Sequence, residues 1–128
     1  MTALTKDVVI NEVKELLPIE ADLTDVFDKK INSLVGGAIS KLKQEGVDIE
    51  AKDKDGNYIF AYDVVQNTNS QGNNVETIVL NNDADNYVVC VSYQLMKDLD
   101  YDVDMDFMTE QYITRIGTIR CNITMRQH

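Results

Sequence analysis

The chain has 128 residues, 44% hydrophobic and 27% charged, which fits a single ordinary globular domain. Its formal net charge of −10 makes it a poor direct ligand for DNA or RNA, because affinity for nucleic acid comes largely from cationic side chains. The chain has no apolar run near the roughly 20 residues that span a bilayer, and its first 17 residues lack a signal-peptide pattern. We therefore expect a protein that is made and used without crossing a membrane.

The chain begins with two predicted helices. Residues 5–17 carry apolar side chains at helical spacing, and Pro18 ends the run. A second helix of about 23 residues begins near Asp22, whose carboxylate can cap the first turn, and ends at Gly46. Gly36 and Gly37 lie inside this helix. They indicate either a kink or the close approach of another helix, such as one from a neighbouring subunit, and the sequence leaves both readings open.

Residues 47–82 differ in character from the rest. Residues 57–65 and 75–80 are rich in β-branched and aromatic side chains, and the polar, asparagine-rich stretch 66–74 lies between them. This pattern predicts a two-stranded ribbon with a mobile tip, and we expect residues 66–74 to be poorly ordered in the isolated protein. Irregular excursions often carry contacts, so the candidate interface residues in this segment are Asn67, Asn69 and Asn73.

The last third of the chain predicts two more helices. Asparagines and aspartates at 81–86 can cap a third helix that runs to Leu99, although "YVVCVSY" (87–93) by itself would also suit a buried strand. The fourth helix follows Asp104 or Asp106, and its last four residues are expected to fray. The predicted fold is mainly α: one four-helix bundle-like domain over residues 1–128, with an irregular or β-hairpin excursion at about 47–82 between the second and third helices.

The stretch "DLDYDVDMD" (98–106) places five aspartates at alternate positions. An EF-hand loop needs glycine at its sixth position and glutamate at its twelfth, and a loop starting at Asp100 has Met105 and Gln111 there. We therefore expect no calcium site and interpret the run as a bend between the third and fourth helices. Its aspartates can cap the fourth helix or present an acidic surface to a partner, and the candidate interface residues are Asp100, Asp102, Asp104 and Asp106.

Charge is unevenly distributed along the predicted fourth helix. Residues 98–110 hold six acidic side chains and no basic one, whereas Arg115, Arg120 and Arg126 follow without an acid among them. Opposite charges at the two ends suit a head-to-tail contact with an identical neighbour, and such contacts close into rings when the rotation allows. The alternative is a solvated helix with ordinary ends. These three arginines are candidate interface residues.

Catalytic patterns are absent from the sequence. It has no interior histidine, no GxSxG, no P-loop and no GxGxxG, so we expect no enzyme, cofactor or metal. A small hydrolase that uses carboxylates such as Asp102 and Asp104 with a divalent ion is an alternative. Cys90 and Cys121 belong to no metal-binding or redox motif, and both are expected to be buried thiols.

The helix order resembles a known family. A short helix ending in "EVKELLPI" leads through "ADLTDVF" into a long helix, and an excursion is followed by "ADNYVVCVSYQLMKDLDYD" and "MTEQYITRIGTIR". This layout resembles the small helical head–tail connector (adaptor) proteins of long-tailed bacteriophages over most of the chain, with residues 50–82 matching least.

The resemblance implies a structural virion protein without catalytic residues, cofactor or metal. Copies would form a ring, typically of twelve, between the portal protein and the next neck or tail-completion protein, with DNA only passing through the channel. The implied location is the virion neck, with assembly in the host cytoplasm and no membrane contact. The alternative function is an acidic regulatory or anti-defence module that binds a basic host protein.

Overall fold

The computed structural model describes residues 2–17, 24–98 and 105–127, and the side chains of residues 2–17, 28–98 and 106–125. These residues form four helices and three strands in the order β1 (Thr2–Ala3), α1 (Lys6–Leu16), α2 (Thr24–Gln44), β2 (Ala61–Thr68), β3 (Asn74–Leu80), α3 (Asn82–Asp98) and α4 (Met105–Gln127). The fold is mainly helical, with a small antiparallel sheet, and its hairpin lies between α2 and α3 as predicted.

Local signals fix the helix ends. The Thr5 hydroxyl accepts a hydrogen bond from the Val8 amide at 3.3 Å and caps α1. After α2, Gly46 has φ +90°, and the amide of Val47 donates to the carbonyl of Leu42 at 2.9 Å. This closure requires a left-handed residue, so the predicted end of the second helix at Gly46 is confirmed. The predicted cap, Asp22, lies outside the described residues.

The two glycines inside α2 differ in their surroundings. The helix runs unbroken from Thr24 to Gln44 through both of them. A Cβ at Gly36 would lie 3.2 Å from Nζ of Lys6, whereas a Cβ at Gly37 would meet nothing within 4 Å. The close neighbour of Gly36 therefore comes from the same chain, and Gly37 faces open space.

Helix α3 lies at the centre of the fold and packs against the other three helices and the sheet. The rings of Tyr87 on α3 and Phe60 beside β2 are 5.1 Å apart at a tilt of 54°, an arrangement that aromatic pairs favour. The segment "YVVCVSY" (87–93) lies inside α3 and is helical, so the alternative of a buried strand is wrong. Fully buried side chains from every helix complete the core, among them Val9, Val13, Ile31, Val35, Leu42, Leu95 and Ile119.

The sheet has the order β1–β2–β3 with all pairs antiparallel. β1 pairs only with the start of β2, at Tyr62 and Ala61, and β3 pairs with β2 along its whole length. The N-terminal end of α1 lies beside β1, while Glu12 and Glu15 line a groove with residues 76–78 of β3. The start of α1 therefore lies near β1, and the side chains of its second half lie near β3.

Two sequence-based expectations were wrong. Cys121 is exposed, although Cys90 is buried as expected, because Cys121 lies on the side of α4 that faces away from α3. The apolar spacing of residues 5–17 places both Leu16 and Leu17 on the buried face of the first helix; Leu17 is buried there, but Leu16 is 49% exposed. Helix α4 extends to Gln127, and fraying of the last four residues stays a prediction.

Candidate interaction surface

The hairpin of β2 and β3 extends away from the core. Ala61 is buried and Tyr62 half-buried, but every residue from 63 to 77 is exposed. We call residues 63–79 the arm. Only Ile78 of the arm is even half-buried, so most of the arm contributes little to the core of its own chain.

The two faces of the arm differ in composition. Tyr62, Ile78 and Leu80 lie on the face that packs against the core, and side chains on a strand alternate between faces. The opposite, outward face carries Val65, Val75 and Val79, which are 40%, 42% and 49% exposed. The remaining outward side chains are Asp63, Asn67 and Thr77. Among them the Asn67 amide donates to the Thr77 hydroxyl at 3.3 Å, and Asp63 is the one charged side chain. A further exposed valine, Val64, lies on the face of Ile78.

The tip of the arm is a closed turn built by Asn69. Its side-chain oxygen accepts hydrogen bonds from the amides of Gln71 at 2.9 Å and Asn73 at 3.0 Å. Gly72 has φ +81°, and its amide donates to the carbonyl of Asn69 at 3.0 Å. Candidate residues Asn69 and Asn73 therefore both belong to this turn. Poor ordering of residues 66–74 in solution stays a prediction, which amide exchange can check.

The same turn occurs a second time, at residues 53–57. Asp53 accepts from the amides of Asp55 and Asn57, both at 2.9 Å, and Gly56 has φ +84°. Both turns have an Asn or Asp, two variable residues, glycine and asparagine, which is a signal that the sequence reading missed. The first carboxylate of the segment "DKDGN" therefore binds the backbone of its own turn.

Both long edges of the arm carry backbone groups that point outward. Two hydrogen bonds show which residues join β2 to β3: the amide of Asn69 donates to the carbonyl of Asn73, and the amide of Asn81 donates to the carbonyl of Ala61. Because hydrogen-bonded pairs alternate in antiparallel sheets, the odd-numbered residues of β2 bond to β3. The even-numbered residues of β2 point their amides and carbonyls away from β3, toward β1, and the Leu4 amide donates to the carbonyl of Phe60 on that side. At the open edge of β3, the outward amides and carbonyls are those of Asn74, Glu76, Ile78 and Leu80. In the part of β2 that β1 does not cover, they are those of Val64, Gln66 and Thr68.

The two edges of the sheet also differ in charge. On the β3 side, Glu12 and Glu15 of α1 line a groove with Glu76. Burial raises the pKa of Glu12, and Glu15 and Asp85 raise it further. On the β1 side, a second groove contains Lys6 and Lys52, with Glu50 as the acidic side chain among its lining residues. Negative charge therefore dominates one edge of the sheet, and lysines outnumber acids at the other.

Helix α4 has apolar side chains on two opposite faces. Its buried face, which packs against α3, includes Met108, Ile116, Ile119 and Ile123. On the other face Ile113, Gly117, Cys121 and Met125 follow at intervals of four residues, and we call them the outer stripe. Ile113 is 65% exposed and Met125 71%, and a Cβ on Gly117 would meet nothing within 4 Å.

The predicted interface residues of α4 have separate positions. Arg120 and Asp106 are exposed, and Arg120 lies beside the outer stripe in a shallow depression with Gly117 and Cys121. Arg115 is half-buried, and its Nη1 donates to Oδ1 of Asn86 on α3. Arg115 therefore helps to join α3 and α4. The side chain of Arg126 and the residues Asp100, Asp102 and Asp104 lie outside the described part of the chain.

Within residues 2–17, 24–98 and 105–127, no three His, Cys, Asp or Glu side chains are placed to hold a metal ion together. Over the same ranges, none of the helices combines the length and the apolar character needed to cross a membrane. No family model, curated protein or solved structure matches the chain. The arm and the outer stripe are thus its most distinctive candidate surfaces.

Proposed function

We propose that the protein is a structural component of a bacteriophage neck, a head–tail connector or adaptor whose copies assemble into a ring, typically of twelve. The ring lies between the portal and the next neck or tail-completion protein. The observation that best supports this is the arm, an exposed hairpin with two open backbone edges on a small helical body. A surface of this kind contributes little to its own core and is suited to contacts with other chains.

A ring also needs two different contact surfaces on each subunit, because its interfaces are heterologous. The two unlike edges of the arm satisfy this requirement, and the outer stripe of α4 offers a further surface for the portal or the next neck protein. A helix that is apolar on opposite faces is expected to be covered on both. The four-helix bundle-like body and the excursion then have separate roles: the helices supply the body, and the hairpin extends the contact range.

The charge of the chain suits a channel through which DNA passes. A net charge of −10 repels the phosphate backbone, so DNA moving through the ring meets few sites that retain it. This role requires no catalytic residue and no bound cofactor. Assembly takes place in the host cytoplasm, and the finished location is the virion neck.

The test is association with the portal protein of the bacteriophage proposed to encode this chain. Native mass spectrometry and negative-stain electron microscopy would measure the mass and shape of the mixture at low and at moderate salt. We expect a complex in which a ring of this protein extends one end of the portal. A protein that never associates with portal rings at any salt concentration contradicts the proposal.

An acidic module that binds a basic host protein is the second candidate. The negative groove between α1 and β3 favours it, because three glutamates there present one sign of charge. It predicts a tight 1:1 complex with one host protein and no self-assembly. The two functions therefore give different stoichiometries in the same mass measurement.

A further inference from the structure

We propose that neighbouring copies join through their sheets: the open edge of β3 in one copy pairs with the open part of β2, residues 63–68, in the next. This inference rests on the proposed ring and names the contact between its subunits. The ring would then carry one hairpin per copy in a continuous antiparallel sheet.

The first argument is the weak protection at the edge of β3. Exposed edge strands are commonly blocked by charged side chains, above all lysine, by proline or by a bulge, because they otherwise pair with other chains. β3 has the sequence "NVETIVL", without lysine or proline, and its pairing with β2 is continuous from Asn74 to Leu80. Its one charged side chain, Glu76, accepts a hydrogen bond from the side-chain amide of Gln66 on β2 at 2.9 Å. Four of its seven residues are β-branched, and it is about 23 Å long at 3.3 Å per residue.

The second argument is the direction of the backbone groups. The amides and carbonyls of Glu76 and Ile78 face the open edge of β3, and those of Val64 and Gln66 face the open edge of β2. In the order β2–β3 followed by β2–β3 of the next copy, each new pair is antiparallel, like the pairs that exist already. The contact can therefore form while the hydrogen bonds inside each hairpin are kept. It would also align the outward valines of adjacent arms into one apolar surface.

The third argument is charge, which favours a second copy of the chain, in head-to-tail orientation, as the partner of the open β3 edge. The β3 side carries Glu12, Glu15 and Glu76, whereas the β1 side carries two lysines, Lys6 and Lys52, and one acid, Glu50. Joining unlike edges brings glutamates toward lysines. Joining two β3 edges across a two-fold axis would instead bring two sets of three glutamates together, which is unfavourable.

Single-cysteine variants can test the pairing directly. Asn67 on β2 and Val75 on β3 are opposite each other within the hairpin, and both lie on its outward face. Asn67→Cys and Val75→Cys would each be made in a Cys121→Ser background, with one variant carrying a tag that changes its mass. A short bis-maleimide cross-linker would be applied to each variant and to their mixture at about 1 mM protein, where contacts with Kd near 1 mM are populated.

We expect a cross-linked dimer containing one chain of each variant in the mixture and little product from either variant alone. The yield should fall as salt is raised, because the glutamate–lysine attraction is screened. Efficient cross-linking of Val75→Cys with itself would indicate a two-fold contact between β3 strands and would overturn the proposal. The absence of any mixed dimer would overturn it as well.

A second variant blocks the edge. Glu76→Pro removes an amide that faces the open side, and Glu76→Gln is the matched control that removes only the charge. We expect at least a ten-fold loss of mixed cross-linking for Glu76→Pro and a smaller loss for Glu76→Gln. Circular dichroism and amide exchange of the arm would establish that each variant retains its hairpin.

The same variant separates this contact from the proposed function. If Glu76→Pro assembles on portal rings as well as the unmodified protein does, the sheet contact is wrong and the connector function stands. If the unmodified protein gives mixed cross-links but never associates with portal, the connector function is wrong and the sheet contact stands as self-association.

Discussion

The side-chain amide of Asn81 donates a hydrogen bond of 2.9 Å to the backbone carbonyl of Ile59, 22 residues earlier in the chain. The side-chain oxygen of the same residue accepts from the amide of Ala84 at 2.8 Å and so caps α3. Its own backbone amide donates to the carbonyl of Ala61 at 3.0 Å. One side chain therefore joins the base of the sheet to the start of the central helix.

Asn81→Ala should lower the free energy of unfolding by about 2 kcal/mol, because it removes a helix cap and leaves a half-buried carbonyl without its donor. Urea denaturation would measure the change. Asn82→Ala is the matched control, since Asn82 is exposed and adjacent, and it should change stability by less than about 0.5 kcal/mol. Equal effects of the two variants would contradict the role assigned to Asn81.

Removing the hydroxyl group from each of two tyrosines should change the free energy of unfolding in opposite directions. Tyr87 is fully buried, and its hydroxyl has no hydrogen-bond partner within the described residues. Tyr87→Phe should therefore raise the free energy of unfolding by about 1 kcal/mol. The Tyr112 hydroxyl donates to Oε2 of Glu45 at 3.0 Å, so Tyr112→Phe should lower it by a similar amount. Thermal unfolding of both variants checks the signs, and a loss of stability in Tyr87→Phe would contradict this account.

Replacing each of two glycines by alanine should change the stability of the protein in opposite directions. Gly37→Ala should stabilise the isolated protein by about 1 kcal/mol, because an added Cβ meets open space and alanine favours the helix. Gly72→Ala should destabilise it by about 1 kcal/mol, because its φ of +81° disfavours a side chain. Denaturation curves would measure both. If Gly37→Ala is stable but defective in assembly, a neighbouring subunit approaches α2 there, which is the second reading of this glycine.

The two thiols should differ in reactivity. Burial raises the pKa of Cys90 to about 12, whereas Cys121 is exposed on α4. A disulfide reagent at pH 8 should label one thiol per native chain rapidly and the second only after unfolding. Cys121→Ser should abolish the rapid phase, and rapid labelling that survives in this variant would contradict the assigned burial.

Glu12 should make stability depend on pH. Burial, Glu15 and Asp85 raise its pKa above 4.5, so the folded state favours the protonated form and loses stability as pH rises through 4.5 to the folded-state pKa. Glu12→Gln should therefore stabilise the protein at pH 7 and have little effect at pH 3. Urea denaturation at both pH values tests this, with Glu110→Gln on α4 as the control. A gain of equal size at pH 3 would contradict the explanation.

The helices could be predicted from the sequence because their signals are local. Apolar side chains at helical spacing predict buried faces that include Val13, Leu42 and Leu95, and all three are buried; Gly46 marks the end of α2. The hairpin followed from the β-branched content of residues 57–65 and 75–80. These features depend on a few neighbouring residues, which a single chain displays directly.

The surfaces could not be predicted in the same way, because they depend on which elements pack together. Cys121 is exposed because α3 covers only one face of α4, and the sequence does not show which face that is. Arg115 was assigned to an interface, but its bond to Asn86 arises from the packing of α3 against α4. The Asn69 turn is different, because its signal, an asparagine followed by two variable residues, glycine and asparagine, is local and visible in the sequence.

The Asn69 turn also has a consequence for how the arm could change its reach. The turn closes through bonds among residues 69–73, so it does not rely on the body of the protein. Adding two residues to each strand would move it outward by about 7 Å and keep every side chain on its present face. Related chains could therefore span gaps of different width with an unchanged helical body.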